Sequence, residues 1–201
     1  MCLDFVNTLD DRYSGEPKEL LQRYEDLARF AEDTELLDQA EADRLTRLSL
    51  HSAKEAEKVR GRAIQLREAI YAVLWALVQK KPVAAQDLEA LNQWVQEAAQ
   101  HCSLVEKGNE KVAQFQWRFD PAGNDLAAPL WPIARSAADL LASEQVQYVR
   151  ACASKTCEWL FLDESKNHGR RWCDMTKCGN RAKARAFYDR KKEGWKLSPR
   201  I

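Results

Sequence analysis

Long apolar runs are missing from this chain of 201 residues. The longest, Ala69–Val78 (AIYAVLWALV), has ten residues. A bilayer span needs about 20, so no membrane partner is expected and the run suits a buried helix. The opening MCLDFVNTLDDR has neither a positive n-region nor an apolar h-region. A secretory leader is therefore not expected, and the default compartment is the cytoplasm, where thiols stay reduced. Glycine and proline are scarce, at seven and six, which argues against a loop-rich or low-complexity chain. With 31% charged and 45% apolar residues, a mostly helical chain with material for a packed core is expected. The three histidines, His51, His101 and His168, are scattered without ligand spacing. No glycine-rich phosphate loop, HExxH or GxSxG sequence occurs, which removes the commonest enzyme signatures. Adjacent acids such as Asp10-Asp11 or Glu25-Asp26 are routine on solvated surfaces, so no enzyme is expected.

Net charge is also lacking, but only as a sum. Residues 151–201 hold 13 Lys plus Arg against 6 Asp plus Glu, a balance of +7. Residues 1–150 hold 18 against 25, a balance of −7. A basic tail on an acidic body points either to a polyanionic partner for the tail or to two halves that neutralise each other by packing.

Periodicity gives the organisation. From Pro17, Leu20, Leu21, Tyr24, Leu27, Ala28 and Ala31 recur at helical steps, and Thr34 can cap a helix over Glu35 to about Leu48. Ser52 can cap a long helix from Ala53 to about Lys80, ended by Pro82. Its first half is charged and its second, around Trp75, is apolar on nearly all sides, as in a helix that starts at a surface and finishes inside a bundle. Gln86 to about Gln100 is another helix. Cys102–Glu106 and Val112–Phe119 then flank Lys107-Gly108-Asn109 with alternating polarity, which predicts a β-hairpin. Pro121–Asn124 predicts a turn and Leu126 to about Ser143 a helix, with Pro129 or Pro132 in its first turn. The expected fold is mainly α: a helical domain over 1–145 with one β-hairpin, then a small module over 146–201.

Four of the six cysteines fall within 27 residues, as Cys152-x4-Cys157, a 15-residue spacer and Cys173-x4-Cys178. Two short-gap pairs with such a spacer suit a tetrahedral Zn²⁺ site, each pair closing a small loop. Gaps of four are less diagnostic than gaps of two, and disulfides are the rival in an oxidising compartment. Four sulfurs leave no open position, so one structural zinc per chain is expected, with His168 a surface loop residue. The spacer predicts a hairpin: a strand over Glu158–Asp163, a turn over Ser165–Gly169, and Arg170–Trp172 leading into the second pair. A module this small needs Trp159, Phe161 and Trp172 to pack round the metal.

These residues carry a resemblance. Cys152-ASKT-Cys157, Phe161-x-Asp163-x-Ser165, Arg171-Trp-Cys173-x-Met175-x-x-Cys178-Gly-Asn-Arg181 and Lys183 resemble the CGNR zinc finger. In that family the finger follows an N-terminal domain whose opening motif is similar to Leu3-Asp-Phe-Val-Asn-Thr8. The resemblance implies a stress-induced bacterial transcription regulator with the finger as its DNA-binding part.

The last helix supports that role on its own terms. Arg181, Arg185, Tyr188 and Lys192 fall within about 60° of one another at 100° per residue, with Lys183, Arg190 and Lys191 widening the positive field. Arg181 and Arg185 suit bidentate phosphate recognition, and Ala184 and Phe187 are expected to face the zinc module. The competing expectation is that the basic residues neutralise the thiolates or dock on an acidic protein partner. In the large domain, Asp4, Asn7, Thr8, Asp11 and Arg12 set polar groups among Leu3, Phe5 and Val6. They line a small-molecule effector site, with Arg67 a partner for Asp4, or they pin the N-terminus to the bundle. Cys2 and Cys102 read as small apolar residues. Partners are thus DNA, a small-molecule effector and a second copy in a homo-oligomer.

Overall fold

The computed structural model describes residues 1–108, 114–119 and 125–196, the last five of these as backbone only. Its axis is α4 (Ala53–Val78), where Val59, Ala63, Leu66, Ile70 and Leu74 recur at helical steps and none is more than 2% exposed. Burying each large aliphatic there contributes about 1.5–3 kcal/mol relative to leaving it in water. Around α4 pack α1 (Cys2–Val6), α2 (Tyr24–Asp33), α3 (Gln39–His51), α5 (Ala85–Gln100) and α6 (Leu130–Leu141). Among the described residues the strands form three two-stranded antiparallel sheets: β1 (Leu9–Asp10) with β2 (Lys18–Glu19), β3 (Cys102–Glu106) with β4 (Phe115–Phe119), and β5 (Val149–Ala151) with β6 (Leu160–Leu162). A basic helix, α7 (Asn180–Lys196), ends the described chain. The fold is mainly α with small hairpins, as composition and periodicity imply.

Two helix entries differ from expectation for identifiable reasons. Residues 17–21 are not helical, because Lys18–Glu19 pairs with Leu9–Asp10 and the Leu20 amide donates to Thr8 O at 2.9 Å. Helix α2 starts only at Tyr24, where the Asp26 carboxylate accepts from the Arg23 amide at 2.9 Å. Thr34 closes α2, its hydroxyl donating to Phe30 O, and Asp38 caps α3, accepting from the Glu41 amide at 2.8 Å. The Asp38-x-x-Glu41 box is the stronger local signal, since each side chain satisfies an orphan amide of the first turn. Helix α6 is shorter than expected, with Pro129 at its N-cap and Pro132 in its first turn, where no intrahelical amide bond is lost. In the β3–β4 hairpin, Leu104 lies opposite Trp117 and Glu106 opposite Phe115, so Leu104, Phe115 and Trp117 share one face, and all three are exposed. Asn109 of the expected Lys107-Gly108-Asn109 turn, Val112 and Ala113 of the expected strand, and the expected turn at 121–124 lie outside the described residues.

Arg67 fixes the N-terminal segment. Its guanidinium, 2% exposed, donates to both oxygens of Glu19 at 2.7 Å, to Thr8 Oγ1 at 3.2 Å and to Glu68 Oε1 at 2.9 Å. Arg12 pairs with Glu68 and lies 3.8 Å over the Tyr71 ring. Asp4 is not the partner of Arg67: it is exposed and meets the N-terminal amine at 2.9 Å. The reason is geometric, since Asp4 lies on the outer side of α1 while Phe5 and Val6 face the core.

Partial burial opposes ionisation of Glu19, but the Arg67 hydrogen bonds, the Leu21 amide and the Arg67 and Arg60 charges outweigh it and hold the carboxyl below the usual range. A carboxyl lowered on folding stabilises fully above its unfolded value of about 4.3 and loses that contribution as pH falls through the lowered value. Arg67→Ala, which strands Glu19, should destabilise the protein by about 3 kcal/mol at pH 7 in a denaturant melt. Glu19→Gln should also melt lower at pH 7, with the difference from the parent narrowing below roughly pH 4.

Candidate metal centre and nucleic-acid interface

The first cysteine pair closes a β-turn between two strands. β5 and β6 pair in the register Val149 with Leu162 and Ala151 with Leu160, and the Cys152 amide donates to Trp159 O at 2.8 Å. The hairpin therefore encloses the pair Cys152–Cys157 and does not lie within the spacer, where the sequence reading put it. The partner of the Glu158–Asp163 strand is upstream of Cys152, not Arg170–Trp172, because the knuckle returns the chain directly onto residues 149–151. Arg171 keeps one contact with the knuckle, its carbonyl accepting from the Ala153 amide at 2.8 Å. Glu158 takes a positive φ of 54° just after Cys157, and the Trp159 amide that follows hydrogen-bonds the Cys157 sulfur.

Asp163 shapes the spacer. Fully buried, it accepts from the Ser165 hydroxyl at 2.5 Å, the Ser165 amide at 3.1 Å and the Arg170 amide at 2.8 Å. The Ser165 hydroxyl leads in holding its carboxyl below the usual range; burial opposes this, and the Arg170 and Ser165 amides add to it. One side chain thus clamps both ends of the 165–170 loop. His168 is exposed, stacks on Tyr148 with ring centroids 3.7 Å apart, and directs Nδ1 to Asp163 O, away from the cysteines.

Asp174 starts the second knuckle, accepting from the amides of Thr176 at 2.6 Å and Lys177 at 3.1 Å. A single π-type turn, Met175–Gly179, carries Cys178 into α7. Gly179 lies close under the Met175 side chain: a Cβ there would be 2.5 Å from Met175 Sδ and would make that exposed side chain shift. The Asn180 amide group donates back to Thr176 O at 3.0 Å, and Arg181 Nη1 donates to Thr156 Oγ1 at 3.1 Å, joining the second knuckle to the first.

The four sulfurs of Cys152, Cys157, Cys173 and Cys178 converge, all within 4.8 Å of one another. Cys157 and Cys173 are 3.5 Å apart and Cys173 and Cys178 3.8 Å. A tetrahedron with Zn–S arms of about 2.3 Å has edges of about 3.8 Å, whereas a disulfide needs about 2.0 Å. The donor set fits one zinc. Contact with Cys173 and then burial push the Cys157 thiol up; burial and contact with Cys157 push Cys178 up to about 11. Thiols crowded in this way ionise together only around a cation, so metal uptake must release protons. Phe161 is buried against the cluster, with Trp159 and Trp172 partly buried beside it. All four positions are filled by protein, which defines a structural centre.

Beyond the cluster, α7 leaves the module. From Asn180 to Lys191 every side chain is exposed except the half-buried Ala182. Lys183, Arg185, Tyr188 and Arg190 are thus free of the body, while Arg181 is exposed but tied to Thr156; the side chain of Lys192 lies outside the described residues. Phe187 does not face the zinc module: it is 57% exposed and meets Tyr188 edge-on at 5.8 Å. Nine residues of helix place it about 13 Å beyond Cys178, further than so small a module reaches.

Of the six residues considered for a ligand site, Thr8, Arg12 and Arg67 meet in one network, while Asp4, Asn7 and Asp11 point elsewhere, Asp11 pairing with Lys18. Asp4 is exposed; Thr8 donates to Phe5 O at 2.7 Å; Arg12 and Arg67 belong to the Glu68 and Glu19 network. Asn7 turns to the zinc module, exchanging hydrogen bonds with the Leu160 peptide. A groove of about 820 Å³ lies between the β4 residues Trp117–Phe119, α1, α6 and Leu162, and none of the six lines it; Arg12 lines a different groove, with Tyr13, Glu68 and Tyr71. The roles of Asp163, Asp174 and Thr156 were missed in sequence, although Asp-x-Ser and Asp-x-Thr are turn and cap signatures.

A helical body joined to a module built on four converging cysteines defines a zinc-finger protein. The chain belongs to the ABATE family, described as "Putative stress-induced transcription regulator", whose model matches residues 1–144. The CGNR zinc finger model matches residues 148–191. No curated protein matches the chain. Neither family description names an enzyme. No helix among the described residues is long and apolar enough to cross a membrane.

Metal analysis of reduced protein should give one zinc per chain, and Cys173→Ser should bring it well below one. Asp163→Ala keeps the ligands but frees the loop between them. Its zinc affinity, measured by competition with a chromophoric chelator, should fall by roughly 10-fold or more.

Proposed function

We propose that this chain is a cytoplasmic, non-catalytic DNA-binding transcription regulator, in which the structural zinc holds α7 as a basic probe for duplex DNA. The observation that carries this reading is α7 itself. It has seven Lys and Arg against two acidic residues in 17 positions, its described side chains are almost all exposed, and it is anchored at its N-terminal end. Such a helix suits phosphate contacts by Arg185, with Tyr188 beside it, and by Lys183 and Arg190 on the opposite face. Arg181 serves the probe from its base, through Thr156. Residues 1–145 form the regulatory part and 146–201 the DNA-binding part. The division is one of role, because Leu160 of the module lies in the core of the helical body. A small-molecule effector would enter the groove beside Trp117 and Arg135, which touches both α6 and Leu162. A homo-oligomer would present a second α7 to a two-fold site.

One observation favours the alternative, that the module docks on an acidic protein. Phe187 and Tyr188 put two aromatic rings, 57% and 66% exposed, on the basic helix, and exposed aromatics are common at protein interfaces.

Titration with random duplex DNA across a salt series separates the readings. DNA binding should weaken with salt, and Arg185→Glu should lower affinity across all sequences and reduce the log–log salt slope by about one. Zinc content should stay at one per chain. Affinity that is undetectable at low salt, or indifferent to salt, would leave the protein-docking reading.

A further inference from the structure

Trp159 and Leu160 lie between the two cysteine pairs, yet both are held from the opposite end of the chain. The Leu160 carbonyl accepts from Asn7 Nδ2 at 2.8 Å, and the Leu160 amide donates to Asn7 Oδ1 at 3.0 Å. One carboxamide thus supplies the paired bonds that a neighbouring strand would, on the edge of β6 away from β5. Three residues on, Asp10 Oδ1 accepts from the Trp159 indole Nε1–H at 2.7 Å. The Trp159 ring packs against the cysteine cluster.

These contacts are not isolated on the body side. Asp10 belongs to β1, which is paired residue by residue with β2. Glu19 of β2 is gripped by Arg67 from α4. An unbroken series of hydrogen bonds and packed groups therefore runs from the central helix, through Glu19, Asp10 and Trp159, to the four sulfurs.

We propose that Asn7 and Asp10 are positioning residues that latch the zinc module to the helical body, so that metal occupancy of the cysteines and stability of the body are linked. With zinc bound, Trp159 and Leu160 are fixed where Asn7 and Asp10 can satisfy them. When zinc leaves, the knuckle loosens, these partners are lost, and the half-buried side chains of Asn7 and Asp10 are left to water or to nothing. Linkage is reciprocal: whatever strengthens the body's hold on Trp159 and Leu160 also tightens zinc binding. The latch holds whatever α7 binds, so it stands apart from the DNA reading.

The test follows helix content on heating, in zinc-loaded protein and in protein stripped by a chelator under reducing conditions, with no DNA present. In the parent, stripping should lower the melting temperature of the body by roughly 5 °C. In Asn7→Ala/Asp10→Ala the zinc-loaded protein should still hold one metal per chain, but the shift should fall to about half or less. Asp10→Asn, which keeps an oxygen for the Trp159 indole, should retain the parental shift. An equal shift in parent and double variant overturns the proposal, as does a zinc affinity of the double variant equal to the parent's. Should the double variant not fold, hydrogen exchange in the parent decides. Stripping zinc should speed exchange of the Leu20 amide, which is bonded to Thr8, by about 10-fold or more. Acceleration confined to the module would overturn the latch.

Discussion

The cluster of four sulfurs is the constraint on which the C-terminal part of the molecule depends. Between Cys152 and Cys178 only Phe161, Leu160 and Asp163 are deeply buried besides the cysteines themselves, too little apolar surface to hold a fold. Metal–sulfur bonds replace the missing core, and the rest of the module follows from keeping four thiolates together. The turn after Cys157, the buried Asp163 and the capping Asp174 each fix a stretch of backbone so that its cysteine points inward. Gly179 and Asn180 then let the chain leave the cluster directly as a helix. The four letters of the CGNR signature thus have separate tasks: ligand, close approach to Met175, back-bonding to Thr176, and the bridge to Thr156.

The helical body is organised by a different device. α4 supplies an apolar spine, but the N-terminal segment is held to it by charge. Arg67, buried among aliphatic side chains, is acceptable there because Glu19, Glu68 and Thr8 satisfy it. That arrangement draws residues 18–19 out of helix and into a short ladder with residues 9–10, and so brings Asp10 to the zinc module. The LDFVNT segment serves both halves: Phe5 and Val6 fill the core, Thr8 meets Arg67, and Asn7 reads the peptide of β6.

What could be read from sequence was what depends on local pattern. The long helix, its end near Pro82, the β3–β4 hairpin, the cysteine set and the basic terminal helix all have periodic or spacing signals. Local caps and turns, at Asp38, Asp163 and Asp174, were legible but passed over; most other failures come from contacts between distant residues. The helical period from Pro17 was real, but Arg67, 48 positions away, overrides it. The strand at Leu160 was visible, but its partner lay upstream of the first cysteine. The basic stripe of α7 was legible; that Phe187 would be left uncovered was not, because it depends on how small the module is. Asn7 looked like a cap or a pocket residue, and no local signal could have shown that its partner is Leu160, 153 residues on.

The attachment of α7 at one end has a mechanical consequence. Seventeen residues of helix are about 25 Å long, and among its described side chains this rod is fixed only where it leaves the cysteine cluster. A tilt of about 10° at that root would carry the far end sideways by roughly 4 Å, more than the ~3.4 Å rise of one base-pair step. A lever of this length amplifies small rotations of its mounting. The stiffness of the Arg181–Thr156 bridge and of the Asn7 contact therefore sets the aiming accuracy of every side chain toward the tip.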